Sequence, residues 1–547
     1  MTPVLLELAS AESLPYHLGG SGSVGSSSRR AGSWSLQPSR AWAAESNVSL
    51  ITSRIALVPP PAFQDHNTSS GSAANASATS GSGEHCDLYG SAFALVLLTH
   101  SLVLAVLLCS ALRIIWMRFA GRPFAETNLK RDTDASDPAP SAVATPTRTR
   151  LPHFDAIRFL FAFLIVILHV QEIFYAPETH AAHATWAHHL LTWPQAMVAF
   201  FIVLSGFVSQ WTAPAGVAYA SLGDIARFYA RRLTRVMLVS WLSLVYMLAV
   251  QRPSVDGGTV LAQFLMLYQW WAPVSGEVVE VWWHLLNPPL WTVGVLVPCW
   301  VLFPASQWLL TRIEERGGAA GLAGTAMSLL VLAAVRVLAI AYDPHCTAAM
   351  QADRLWAPNA LGDFLLGMLA ASMARRHVSM NPCLPSWALG ASCTLAGYQL
   401  GGYSMRGVLA DAVAVSITLS FVLTELPADD VRESGQWSMT VQQHVFAAPF
   451  ALFMYASAGG GTAGVVARLL SNRALVALGD YAFTVYLLQW PFLTMLRKSP
   501  GLIPYNDPTD HTYGLWVALM LTGLSMLVTE LFERPLTRLA LLLCMKE

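Results

Sequence analysis

The stretch DAIRFLFAFLIVILHV, residues 155–170, sets two charges and an imidazole into an otherwise apolar run. Asp155 and Arg158 stand three residues apart, which on a helix makes them neighbours able to pair. His169 follows Arg158 by eleven residues. At 3.6 residues per turn and 1.5 Å per residue, that is roughly three turns and 16 Å, so the two share one face at different depths. An imidazole titrates near neutrality and can take and return a proton. A guanidinium suits an anionic ligand. Ionisable groups are costly in hydrocarbon, and each one inside a span is a candidate functional residue. The chemistry this stripe supports is proton abstraction deep in a membrane, with a basic group nearer the mouth. The structural alternative is an interfacial Asp–Arg pair and a histidine hydrogen-bonded inside a helix bundle.

The elements that must hold these residues follow from composition. The chain has 547 residues, of which 54 % are hydrophobic and 12 % charged, and its mean hydropathy is +0.47. Soluble chains carry about 25 % charged residues, so this is an integral membrane protein of all-α class. A net charge of −1 speaks against a nucleic-acid partner. The 7 cysteines show no metal-ligand spacing, and no metal or bound cofactor is expected. Cys86 and Cys346 either pair in an oxidising lumen or stay free thiols.

Residues 1–90 are rich in Ser, Gly and Ala and read as a disordered tail. The tail holds three sequons, at Asn47, Asn67 and Asn75, so a lumenal or extracellular tail implies a glycoprotein. A transmembrane helix is expected over 91–117. Arg113, Arg118, Arg122, Lys130 and Arg131 cluster at or beyond its C-terminal end, which the positive-inside rule makes cytosolic. Residues 118–152 form a cytosolic linker. A membrane domain then fills 153–540, with spans expected over 155–175, 194–212, 236–250, 290–310, 321–342, 360–374, 385–401, 407–424, 474–496 and 513–532. The loop RFYARRLTR (227–235) is cytosolic by its arginines. Residues 260–273 are too short to span and read as a re-entrant, interfacial or shielded short helix. Residues 442–458 are ambiguous, and the alternation of sides does not close between 407 and 474. Ten or eleven spans are expected after the linker.

Seven stretches, taken in order, resemble the membrane-bound acyltransferase 3 (O-acyltransferase) family. Arg158 and His169 match its Arg-X10-His signature. FFIVLSGF (200–207) is similar to its second-helix pattern. Arg232 and Arg235 resemble its R-x-x-R element. NPPLWTVGV (287–295), GDFLLGMLAA (362–371), LSNRALVALGDYAFTVYLLQWPF (470–492) and LFERPLTRL (531–539) resemble its middle, later, penultimate and closing segments. The resemblance implies a core of about ten helices, here preceded by one extra N-terminal helix, in the plasma membrane or an endomembrane. It implies transfer of an acyl group, often acetyl and not amino-acyl, from cytosolic acyl-CoA as co-substrate to a hydroxyl of a sugar, lipid or small molecule.

By resemblance, His169 is the general base. Arg158, paired with Asp155, orients the donor or holds the polar face. Arg232 and Arg235 meet the CoA phosphates or simply mark the cytosolic side. Ser205 and Gly206 pack helices closely or kink the wall of an acyl tunnel. Trp291 is an interfacial anchor or a pocket wall, and Tyr486 and Gln489 line the substrate site. The chain also departs from the pattern. Leu296 stands where the family has Glu, Gln489 where it has His, and Ala482-Phe483 where it has Ser-Tyr. The proline usual after R-x-x-R is absent. Glu277 and Glu280 lie nearby in sequence. A catalytically silent relative acting as scaffold or receptor, and a small-molecule transporter, are the competing functions.

Overall fold

The computed structural model describes residues 150–174, 193–213, 222–251, 255–271, 285–342, 357–380, 394–395, 398–399, 405–423, 435–458, 464–499 and 512–544. All of them lie within the unit Ala78–Glu547. The tail, the 91–117 segment, nearly all of the linker, Cys86, Cys346, Glu277 and Glu280 fall outside the described residues.

Proline opens two helices, α1 (Pro152–Phe174) and α2 (Pro194–Thr212). Its fixed φ suits a first turn, where its missing N–H is not needed. Helix α3 (Leu222–Gln251) follows. The 260–273 stretch is two short helices, α4 (Gly257–Phe264) and the single turn α5 (Tyr268–Trp271). Asp256 caps α4 by accepting from Thr259 N at 2.9 Å, and Met266 between the two has φ +56°. Helix α6 (Leu290–Tyr342) is broken at Gly318, whose φ of 56° favours a residue without Cβ. It covers both stretches expected as spans, 290–310 and 321–342.

Next come α7 (Ala357–Met380), α8 (Met405–Leu423) and α9 (Gly435–Ser457). The short helices α10 (Val465–Leu470) and α11 (Arg473–Gly479) follow, then α12 (Ala482–Lys498), α13 (Thr512–Val528) and α14 (Arg534–Cys544). A π-helical turn, Thr529–Glu533, joins the last two. Pro535 withholds an N–H from Leu531 and crowds its carbonyl, which is the local cause of that turn. Among the described residues the only strands are Thr394–Leu395 and Tyr398–Gln399, a two-residue antiparallel pair.

One end of the bundle collects arginines. Arg375 donates to Ala213 O at 3.1 Å, tying the ends of α7 and α2, and Arg376 pairs with Glu314 at 3.5 Å near the α6 break. Arg406 donates to Tyr455 O, joining the start of α8 to the end of α9. His153 meets Ser457 at 3.1 Å, bringing in the start of α1. Helix α8 leaves the arginine-rich end and α9 returns to it. Most of the span expected over 385–401 lies outside the described residues.

Among the described residues, six helices are long and apolar enough to cross a membrane. Leu338, Leu423 and Leu531 are at least two-thirds exposed, as residues facing lipid are. Between helices in lipid, close packing replaces the hydrophobic effect as the driving force. A Cβ on Gly206 would lie 1.9 Å from Phe364 O, and one on Gly367 would lie 1.9 Å from Val203 O. The two glycines let α2 and α7 cross backbone to backbone.

Candidate active site

The polar stripe of α1 is matched by α12. His169 Nδ1 lies 3.0 Å from Gln489 Oε1, and the Trp490 ring stands edge-on to the imidazole at 6.1 Å. Gln489 is fully buried, while His169 is half-buried. The amide oxygen accepts, so Nδ1 carries the ring proton and Nε2 the lone pair of the neutral ring. Gln489 Nε2 finds no hydrogen-bond partner among the described residues. This part of α12 is anchored in an unusual way. Pro491 has no N–H for the Leu487 carbonyl four residues back. Asn287 Nδ2 supplies the donor instead, 3.0 Å from Leu487 O, and also reaches Ser243 Oγ on α3 at 2.9 Å.

About 16 Å down α1, the second polar group sits at the arginine-rich end. Asp155 pairs with Arg158 and with Arg150, the latter at 3.0 Å. Gly479 permits the approach of α11, since a Cβ there would meet Asp155 O at 2.4 Å. Among the described residues Arg158 Nε has no acceptor. The next residue of that chain, Asp480, accepts from Arg534 at 3.2 Å and Arg150 at 3.4 Å.

The two arginines of the R-x-x-R element go to different places. Arg235 Nε donates to Glu533 Oε1 at 2.5 Å, and Arg235 Nη2 donates to Asp480 O at 2.9 Å. Glu533 is buried, and its other oxygen accepts from Thr484 at 2.9 Å. Arg235 therefore ties α3 to the closing E-R-P segment. Arg232 instead donates to Ser205 Oγ at 2.8 Å and lies over the Trp300 ring, 4.9 Å from its centroid. Trp300 Nε1 donates to the same Ser205 Oγ at 2.7 Å. Ser205 thus seats the guanidinium, whereas its neighbour Gly206 is a packing residue at the α2–α7 crossing. Trp291 is 3 % exposed, inside the protein rather than at an interface. Tyr486 is buried beside Phe201, ring centroids 5.9 Å apart. Leu296 is buried too.

The profile of the acyltransferase 3 family, described as an acyltransferase domain, matches residues 151–532. The chain belongs to this family. It is similar to acyltransferase MdmB of Streptomyces mycarofaciens, 24 % identical over 369 residues, covering 65 % of this chain and 82 % of that one. No solved structure matches. The family match makes this membrane protein an acyltransferase by kinship, and it begins and ends on the elements that carry the stripe and the E-R-P tie.

Several residues with a part in this acyltransferase are missed by sequence reasoning. Asn287, Trp300 and Glu533 all lie in or beside quoted motifs, but their roles depend on which helix faces them. A third polar group lies away from the stripe. Arg336 on α6 donates to His444 Nε2 on α9 at 2.7 Å, and His444 Nδ1 faces Asp363 Oδ2 on α7 at 3.5 Å, all three buried. Asp363 belongs to the GDFLLGM motif, whereas Arg336 and His444 carry no local signal. Among the described residues, no three His, Cys, Asp or Glu groups are placed to hold a metal ion.

Proposed function

We propose that the protein is a multi-pass membrane O-acyltransferase, with about ten core helices after one N-terminal span and its arginine-rich end in the cytosol. It moves an acyl group, acetyl in the simplest case, from cytosolic acyl-CoA to a hydroxyl of a glycan, lipid or small molecule. The observation that carries this reading is the pairing of His169 with Gln489 on the same face of α1 as Arg158. A proton acceptor lies deep in the bundle, and a cation lies at the end rich in positive charge. His169 removes the hydroxyl proton. Arg232, seated on Ser205 and Trp300, and Arg158 are placed to attract the donor's phosphates. Arg235 holds the closing segment that frames this mouth. Trp291 and Tyr486 contribute apolar surface to the interior.

The test is turnover of radiolabelled acetyl-CoA, then longer acyl-CoAs, by the purified protein. His169→Ala should abolish transfer with membrane insertion unchanged. Arg158→Ala should weaken donor binding or transfer. Full activity in His169→Ala would refute the mechanism. Failure of the wild type to bind any acyl-CoA would favour the silent-relative or transporter reading.

A further inference from the structure

We propose that Ser205 is a phosphate anchor, its hydroxyl hydrogen held out to a phosphate oxygen of the incoming acyl-CoA. This rests on the acyltransferase reading above. The bonds already made to one oxygen carry the argument. Trp300 Nε1 donates to Ser205 Oγ at 2.7 Å, and Arg232 Nη2 donates to it at 2.8 Å. A hydroxyl has two lone pairs and one hydrogen. Both lone pairs are taken, and the hydrogen points away from both donors. Among the described residues it meets no acceptor. A buried donor left unpaired is costly, and it calls for an explanation in the ligand it meets.

A serine inside a helix commonly returns its hydrogen to the carbonyl four residues back. Ser209, Ser240 and Ser306 do so here, at 2.6, 2.8 and 3.0 Å. Ser205 does not. Its oxygen is turned to donors from α3 and α6 instead. Those two donors also polarise the O–H, which strengthens the bond its hydrogen makes to a further acceptor.

Ring contacts fix the depth of this hydroxyl. Phe207 stands against Phe154 of α1 with centroids 5.4 Å apart, and Phe200 stands against Phe161 at 5.1 Å. The two helices run antiparallel, so Ser205 is level with the first turns of α1, about 20 Å short of His169. Arg158 lies near that level, and its Nε has no acceptor among the described residues. One turn farther in, Phe201 lies beside Tyr486, and the surroundings turn apolar. Unfilled donors and guanidinium groups at the mouth, with aromatic rings beyond, suit a ligand with an anionic end and a long arm. Acyl-CoA has that form, its phosphates at one end and its thioester at the other.

Equilibrium binding of radiolabelled acetyl-CoA, and of S-acetylpantetheine, which keeps the thioester arm but carries no phosphate, tests this on the purified protein. Ser205→Ala should weaken acetyl-CoA binding about tenfold or more, the scale for a hydrogen bond to a charged group, with S-acetylpantetheine little affected. Ser205→Cys, nearly the same size but a poor donor, should do the same. In an Arg232→Met background, Ser205→Ala should weaken acetyl-CoA binding further, because the hydroxyl meets the phosphate itself. No further loss there would reduce Ser205 to a seat for Arg232 and overturn the proposal while leaving the function standing. Equal losses for the two thioesters, or a wild type that binds both equally well, would overturn it in the same way. A wild type that binds neither overturns the acyltransferase reading as well.

Discussion

Removing the Asp363 carboxylate tests whether the buried Arg336–His444–Asp363 chain is one electrostatic unit. Arg336 is 3 % exposed and Asp363 2 %, so neither charge has water to lean on. A guanidinium only donates, so its 2.7 Å contact with His444 Nε2 puts the ring proton on Nδ1, facing the carboxylate at 3.5 Å. Across the ring the two charges are roughly 8 Å apart, which at an effective dielectric near 20 is an attraction of about 2 kcal/mol. Asp363→Asn keeps the size and removes the charge. The guanidinium then loses the carboxylate that faces it through His444, and removing one charge from a buried pair in this way costs about 3–5 kcal/mol. Adding Arg336→Met removes the other charge, so the double variant should lose less stability than the two single losses summed. Unfolding in mixed detergent micelles, followed by tryptophan fluorescence on the wild type, both single variants and the double, measures all four corners of the cycle. Additive losses would refute the coupling.

Three further perturbations separate packing from chemistry. Gly206→Ala drives a methyl toward Phe364 O, 1.9 Å away, and should cost about 1–3 kcal/mol as α2 and α7 part; unchanged thermal stability would disprove the close crossing. Asn287→Ala strips the Leu487 carbonyl of its donor and should cost about 1–3 kcal/mol. Pro491→Ala in that background restores an N–H at position 491 and should recover part of the loss, and a further loss would contradict the account. Arg235→Ala leaves Glu533 buried with hydroxyl partners only, so melting temperature should fall with donor affinity held; the reverse pattern would make Arg235 a donor ligand.

The membrane character, the helical class, the α1 stripe and the family were legible in the chain because they depend on local order. Hydropathy reports on spans, and the eleven-residue interval fixes a helix face whatever surrounds it. Legibility failed where polar residues on separate helices meet. Residues 442–458 are ambiguous in the sequence, yet they form part of one helix, α9, whose buried His444 is answered by Arg336 and Asp363.

Composition and spacing alone determined a helical membrane protein with an Arg–His stripe on its first core helix, and the resemblance of its motifs pointed to the acyltransferase 3 family that the profile match shows. Tertiary structure alone decided what each polar group meets. It sent Arg232 to Ser205 and Trp300 but Arg235 to Glu533, though the two stand three residues apart on one helix. It set Gln489 against His169 across 320 positions of sequence. A buried polar group is stable only with a partner, and partners that lie on different helices are brought together by packing, which no local pattern in the chain records.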